Sequence, residues 1–327
     1  MNILIICLLS LSAFAIPEKD YESVWKTQVL SSLDSVPAKE FINRQGKKVA
    51  YRTYIRGAGL PNIVISPGRQ EPMKKYYELV HDIQDANFYL IDHQGQGESE
   101  RLLKDPQKGH VISFQDYIND FTFWMNTHVL AETKGERLYL IAHSMGGAIA
   151  TRYMEKNPNI FKKVVLSAPM YDVYTKPYPG TVARVLAKAL MLAGQGNKYA
   201  PDRGPYVADE DTLEKNEFSH SLARIEMNKY LFVEENLALG GTTVRWVNEA
   251  FKGMKGIQFV GKKLKQPVLL LQAELDTTVI PVKQAQFCQL ASDCQLVQIK
   301  GSFHEILQEK DSIRNHAIDL IRGHLGF

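Results

Sequence analysis

The chain carries a series of short, wholly apolar segments, each ending on small or polar residues. Asn62 to Ile65 stops at Pro67-Gly68, Phe88 to Ile91 at Asp92-His93-Gln94-Gly95, and Leu138 to Ala142 at His143-Ser144. Val164 to Leu166 stops at Ser167-Ala168-Pro169, Val268 to Leu271 at Gln272-Ala273-Glu274, and Leu296 to Ile299 at Lys300-Gly301. Apolar runs with no polar face mark strands buried on both sides in a parallel sheet; Lys48 to Ile55 instead alternates, as a half-exposed strand does. Helical patterns fall between many of them, over Met73 to Gln84, Phe114 to Leu130, Gly147 to Lys156 and Pro281 to Leu290. Near the end Ile313, Ala317, Leu320 and Ile321 recur at helical spacing. Strand-helix alternation predicts an α/β protein with a doubly wound, mostly parallel sheet and ligands at the carboxyl ends of its strands.

One connection is too long for a crossover. Pro169 to Gln266 contains an apolar helical pattern over Gly180 to Ala193 and an aromatic start at Tyr171, Tyr174 and Tyr178. Long insertions at the carboxyl edge are usually active-site lids, so a cap is expected over residues 171–240. It divides the core into residues 16–170 and 241–327.

The first fifteen residues stand apart. Ile3 to Phe14 is apolar but for Ser10 and Ser12, and Ala13-Phe14-Ala15 gives a small-x-small cleavage pattern before a polar stretch. This predicts a signal peptide over residues 1–15, and hence export to a periplasm or out of the cell. The run is too short to span a membrane as a helix. Cleavage removes Cys7 and leaves Cys288 and Cys294, which in an oxidising compartment can either bridge or stay as two buried thiols. Neither has a metal-spaced histidine, so no metal site is expected.

Composition narrows the classes further. The 327 residues are 45% apolar, with 39 Lys plus Arg against 36 Asp plus Glu, a net charge of +3. That is a globular composition. A charge excess so small and dispersed argues against a nucleic-acid partner.

The chemistry gathers at strand ends. Ala142-His143-Ser144-Met145-Gly146 follows an apolar strand and opens a small-residue helix, the pattern of a nucleophile elbow with Ala in the first glycine position. A serine needs a base, and the base an orienting acid, in the chain order Ser, acid, His. Asp276 follows one strand and His304 follows the next, with Glu274 as the rival acid. His93 and His143 also sit at strand ends, as supporting candidates rather than bases. Acyl transfer further needs donors for the oxyanion. The backbone N–H groups of Met145 and Arg69 are the candidates, with Gly68 allowing close backbone approach.

These residues together resemble the monoglyceride lipase and lysophospholipase branch of the α/β-hydrolases, a serine aminopeptidase S33-like group. The resemblance is carried by P-G-R-x-E at Pro67 to Glu71, D-H-x-G-Q-G-x-S at Asp92 to Ser99 and A-H-S-M-G-G-A-I at Ala142 to Ile149. Ser219 to Ser221, Gly240 to Val247 and His304 to Asp311 extend it. It implies an α/β-hydrolase fold with a helical cap inserted after the sixth strand, and Ser144, Asp276 and His304 as the catalytic set. It also implies a single-acyl lipid substrate, lysophospholipid ahead of monoacylglycerol, hydrolysed without cofactor and with transient contact at a membrane surface. Two other readings stay open. A prolyl aminopeptidase would need acidic cap residues, for which Glu210, Glu214 and Glu217 are available. A non-catalytic lipid-binding protein could use the same fold.

Overall fold

A computed structural model describes residues 15–210 and 212–327. The expected leader, with Cys7, lies outside the described residues apart from Ala15. The strands are β1 (Lys39–Ile42), β2 (Lys48–Tyr54), β3 (Asn62–Ser66), β4 (Asn87–Ile91), β5 (Leu138–His143), β6 (Lys163–Ser167), β7 (Val268–Ala273) and β8 (Cys294–Ile299). They form one sheet in the order β1-β2-β4-β3-β5-β6-β7-β8. β2 runs antiparallel to β1 and β4, and every other neighbouring pair is parallel.

The helices are α1 (residues 21–34), α2 (Tyr77–Asp82), α3 (Phe114–Trp124, continued to residue 133) and α4 (Ser144–Lys156). After β6 come α5 (Gly180–Leu192), α6 (Leu222–Val233) and α7 (Val244–Met254); α8 (Val282–Leu290) and α9 (Asp311–Leu325) close the chain. α3 begins at a capping box, in which Ser113 accepts the Gln115 N–H and Asp116 accepts the Ser113 N–H.

Burial explains why the apolar runs became strands. Ile63, Val64, Ile65, Leu140, Ile141, Val164, Val165, Leu166, Leu270 and Leu271 are wholly buried. Both faces of the central sheet are covered, so neither face can be polar. The register sets the strand ends level: Ser66 pairs with Ala142, His143 with Ser167, Ser167 with Leu271 and Ala273 with Ile299. The turns after β3, β5, β6, β7 and β8 therefore leave the sheet along one edge.

The sheet has one more strand than the apolar runs predicted. β1 is an edge strand that buries only Phe41 of its four residues, too little for a periodic signal. Helices α1, α6 and α7 were not legible either. Each end of Met73 to Gln84 is also irregular, opening as a 3-10 turn over Met73–Tyr76 before α2.

The long insertion lies between β6 and β7, and a buried cation fastens it to the core. Arg224 of α6 is wholly buried, with its guanidinium bidentate to Glu78 of α2 at 2.9 and 2.7 Å. It also reaches Asp311 at 3.0 Å and the Glu309 carbonyl at 2.9 Å, and lies 4.9 Å from the Tyr21 ring centroid. Burying such ions costs several kcal/mol each, and only complete pairing offsets it. Bidentate geometry and a second carboxylate supply that pairing. Cys288 and Cys294 are bridged, with Cα atoms 5.1 Å apart, joining α8 to the start of β8. The described residues hold no helix long and apolar enough to cross a membrane, and no cluster of metal-ligating side chains.

Candidate active site

Ser144 stands at the first position of α4, directly after β5. Its φ is +47°, a left-handed conformation that costs a non-glycine residue about 1–3 kcal/mol. The surroundings impose it. A Cβ on Gly146 would lie 2.1 Å from the Ser66 carbonyl oxygen, and one on Gly147 would lie 2.8 Å from Pro169 Cβ. Only glycine lets strand and helix approach this closely.

His304, from the turn after β8, places Nε2 2.9 Å from Ser144 Oγ. Its Nδ1 is 2.7 Å from Asp276 Oδ2. A carboxylate only accepts, so Nδ1 carries the proton and Nε2 is free to accept from the serine hydroxyl. Asp276 Oδ1 accepts the N–H groups of Thr278 and Val279 at 2.8 and 2.9 Å. Burial works against ionising Asp276, but the hydrogen bond and charge of His304, with those two N–H groups, hold its pKa below the ordinary carboxylate value. Glu274 does not compete: it is exposed and accepts the Gly301 N–H at 2.7 Å.

The turn after β3 lies against Ser144. A Cβ on Gly68 would be 3.2 Å from Ser144 Cβ and 3.0 Å from the His143 ring. The Gly68 N–H is taken by Glu71 Oε2 at 2.5 Å, and its carbonyl accepts Gln96 Nε2 at 2.7 Å. Arg69 follows as the next residue in the turn. Met145 supplies the second N–H of α4, and the first four such groups of a helix lack intrahelical acceptors.

The two other histidines have distinct surroundings. His143 Nδ1 lies 3.0 Å from the Ser167 carbonyl, and its ring is 4.8 Å from that of His304. Burial pulls its pKa down to about 4, so it is neutral near pH 7. His93 meets Ser66 Oγ at 3.1 Å and packs on Tyr117 and Phe121. Burial lowers its pKa to about 3.

A buried charge cluster lies behind this site. Glu71 Oε2 also accepts from Tyr76 at 2.7 Å, while Oε1 is 3.1 Å from Lys75 Nζ. Lys75 lies 2.6 Å from Glu305, the residue after His304. One lysine thus links the turn after β3 to the turn that carries His304. Burial opposes ionisation of Glu71, yet its pKa falls to about 2. The charge that His143 takes up at low pH, then that of Lys75, and the hydrogen bonds from Tyr76 and Gly68 account for that. Burial raises Glu305 above its ordinary value despite Lys75. The insertion grips the same turn: the Glu305 N–H donates to Phe218 O at 2.9 Å and Ser219 Oγ to Gln308 O at 2.5 Å. His220 reaches Glu309 at 2.8 Å and stacks on Phe303, ring centroids 3.8 Å apart. The Phe218 ring centroid is 6.3 Å from that of His304. Ser144 is only 8% exposed and His304 3%, so both side chains are covered.

The profile of the hydrolase family described as serine aminopeptidase, S33 matches residues 61–311, from β3 to the start of α9. The chain belongs to that family. It is 34% identical over 271 residues to lysophospholipase L2 of Escherichia coli K12, covering 79% of this chain and 78% of that protein. It is 32% identical over 297 residues to a probable lysophospholipase L2 of Haemophilus influenzae, covering 89% and 92%. Among solved structures, a soluble variant of monoglyceride lipase from Saccharomyces cerevisiae, in complex with a substrate analog, superposes with a TM-score of 0.69 over 89% of this chain and 94% of that one. At 16% identity that likeness shows the fold: the α/β-hydrolase fold, as its sheet order indicates.

The sequence reading gave no role to Glu71, Lys75, Glu305 or the 218–221 segment. Glu71 and Lys75 stand four residues apart, the spacing of a helical ion pair, but nothing in the sequence shows that both are buried.

A carboxylate held below its ordinary pKa adds stability that is complete above the unfolded value, about 4.3, and is lost as pH falls toward the folded one. Glu71→Gln should cost about 2 kcal/mol at pH 7. The deficit should narrow as pH drops from 5 to 3, followed by urea unfolding. A deficit constant across that range would show that Glu71 is not held ionised.

Proposed function

We propose that the protein hydrolyses the fatty-acyl ester of lysophospholipids through an acyl-Ser144 intermediate. The observation that carries this is the hydrogen-bonded series Ser144–His304–Asp276 in a chain similar to two proteins named as lysophospholipases L2. His304 removes the Ser144 proton as Oγ attacks the ester carbon, and Asp276 stabilises the imidazolium that forms. The N–H groups of Arg69 and Met145 receive the oxyanion; that of Gly68 is already committed to Glu71. His304 then protonates the departing glycerophospho-alcohol, and water releases the fatty acid by the same steps in reverse order of roles. Monoacylglycerol would use the same chemistry and differs only in its headgroup.

Residues 171–240 act as the cap in this reading. Phe218 beside His304 and the low exposure of Ser144 support a closed cap that must open for an acyl chain to enter. α5 supplies an outer apolar stripe: Val182 is 47% exposed, Val185 68% and Leu192 92%. Residues 173–201 hold Lys176, Arg184, Lys188 and Lys198 but neither Asp nor Glu. Exposed apolar groups among cations suit brief contact with an anionic lipid surface, where single-acyl lipids partition. The peptidase reading has less support. Glu217 is bound to Thr277 at 3.1 Å and Glu214 is exposed, while the Glu210 side chain lies outside the described residues.

Free fatty acid should be released from lysophosphatidylethanolamine faster than from monoacylglycerol or a two-chain phospholipid. Ser144→Ala should lower that rate by more than about 10³-fold. Preference for an amino-acid arylamide, or equal rates for wild type and Ser144→Ala, would overturn the proposal. Sedimentation with phosphatidylglycerol vesicles should be weakened by Val185→Ser combined with Leu192→Ser; undiminished binding would remove α5 from the contact.

A further inference from the structure

The cations nearest the turn after β3 lack carboxylate partners. Arg69 Nη1 donates to Gly240 O at 2.9 Å and Nη2 to Gln70 Oε1 at 2.5 Å. Its guanidinium lies 5.7 Å from the Trp246 ring centroid. Among the described residues no carboxylate lies within ion-pair distance of Arg69, Arg203 or Arg245. Elsewhere the buried cations Arg52, Lys74, Lys75, Arg224 and Arg314 each have one, while the half-buried Arg56, Arg101 and Lys163 are held by backbone carbonyls.

Three chain segments bring these cations together. Gly109 bridges to Thr242 and Tyr199 to Thr243, joining the loop before α3 to the two arms of the insertion. The joints are close: Gly109 N donates to Gly241 O at 3.0 Å, Gly241 N to Gly204 O at 2.7 Å, and Arg245 N to Gly196 O at 3.0 Å. A Cβ on Gly109 would sit 2.9 Å from Arg69 Nη1, and one on Gly241 would sit 2.7 Å from Arg203 Cβ. The Arg245 guanidinium lies over Gly196, 3.3 Å from where its Cβ would be. Lys108 joins this group, its Nζ 3.9 Å from Asp105 and 5.3 Å from the Tyr199 ring centroid. Asp105 and Asp202 are the carboxylates of these segments; Asp202 and Arg203 are both exposed. The seam remains net positive.

We propose that this seam is a phosphodiester-binding subsite: Arg69, backed by Arg203 and Arg245, receives the phosphate of a lysophospholipid whose ester carbonyl lies at the Arg69 and Met145 N–H groups. The inference rests on the lysophospholipid reading above and adds the group that selects it. Guanidinium matches phosphate in shape and charge, and an uncompensated cation near a low-dielectric wall gains most from an anion. Burial, with the field of Arg203, lowers the pKa of Arg69 to about 10, as for a cation with no compensating charge. Burial, with Arg245 and Lys108, lowers that of His110 to about 4. Monoacylglycerol has no group for the seam.

The test compares wild type with Arg203→Gln, Arg245→Gln and the double variant. Each is assayed on a lysophospholipid and a monoacylglycerol of the same acyl chain, below their micellar concentrations. The ratio of kcat/KM for lysophospholipid over monoacylglycerol should fall about tenfold in the double variant, with the change in KM rather than kcat. Glycerol 3-phosphate should compete with monoacylglycerol in the wild type and less well in the double variant. An unchanged ratio, or no competition, overturns the subsite. Competition in a wild type that does not cleave lysophospholipid would uphold the subsite while removing the proposed substrate.

Discussion

The close approach of β5 and α4 to the ends of β3 and β6 is the constraint on which the site depends. The turn at Ser144 can take its left-handed backbone only because Gly146 and Gly147 place no Cβ against Ser66 and Pro169. That strain is held by a sheet whose central strands are buried on both faces. A serine on a relaxed loop could rotate away from His304. Here its position follows from backbone packing, and the histidine and aspartate arrive from neighbouring strands whose ends the register has already set level. The chemistry is thus a consequence of sheet geometry, with the side chains adding the last hydrogen bonds.

Buried charge provides the next level of organisation. One cluster, Glu71–Lys75–Glu305, fixes the turn after β3 against the turn bearing His304. Another, Arg224 with Glu78 and Asp311, fixes the insertion and the start of α9 to the core. Breaking one partner of such a group leaves an uncompensated charge, which is far more costly than never having buried the pair. These clusters therefore hold parts distant in sequence to a common geometry. The insertion is anchored on both sides of Ser144, through Phe218 to Ser221 at the His304 turn and through Leu239 and Gly240 to Arg69 and Gln70.

The central sheet was legible because strands buried on both faces leave no alternative to continuous apolar runs. Ser144, Asp276 and His304 were legible because their order and their positions at strand ends are fixed by the fold. β1 escaped because an edge strand with one buried residue carries no period. α6 escaped because its anchor, Arg224, is a charged residue that looks solvated in sequence and is wholly buried in the fold. Position alone left Glu274 as a rival to Asp276, and the family resemblance chose between them; the turn after β7 is what faces the Asp276 carboxylate to His304. Lys75 and Glu305 read as surface charges until the folded chain brings them to Glu71.

Covalent labelling tests the account most directly, because it reads the nucleophile without assuming a substrate. The protein is treated with a fluorophosphonate, its intact mass is measured, and the modified peptide is mapped. The account predicts a single adduct on Ser144, with labelling strongly slowed in His304→Ala. An unmodified protein, or an adduct that forms equally fast without His304, would contradict it.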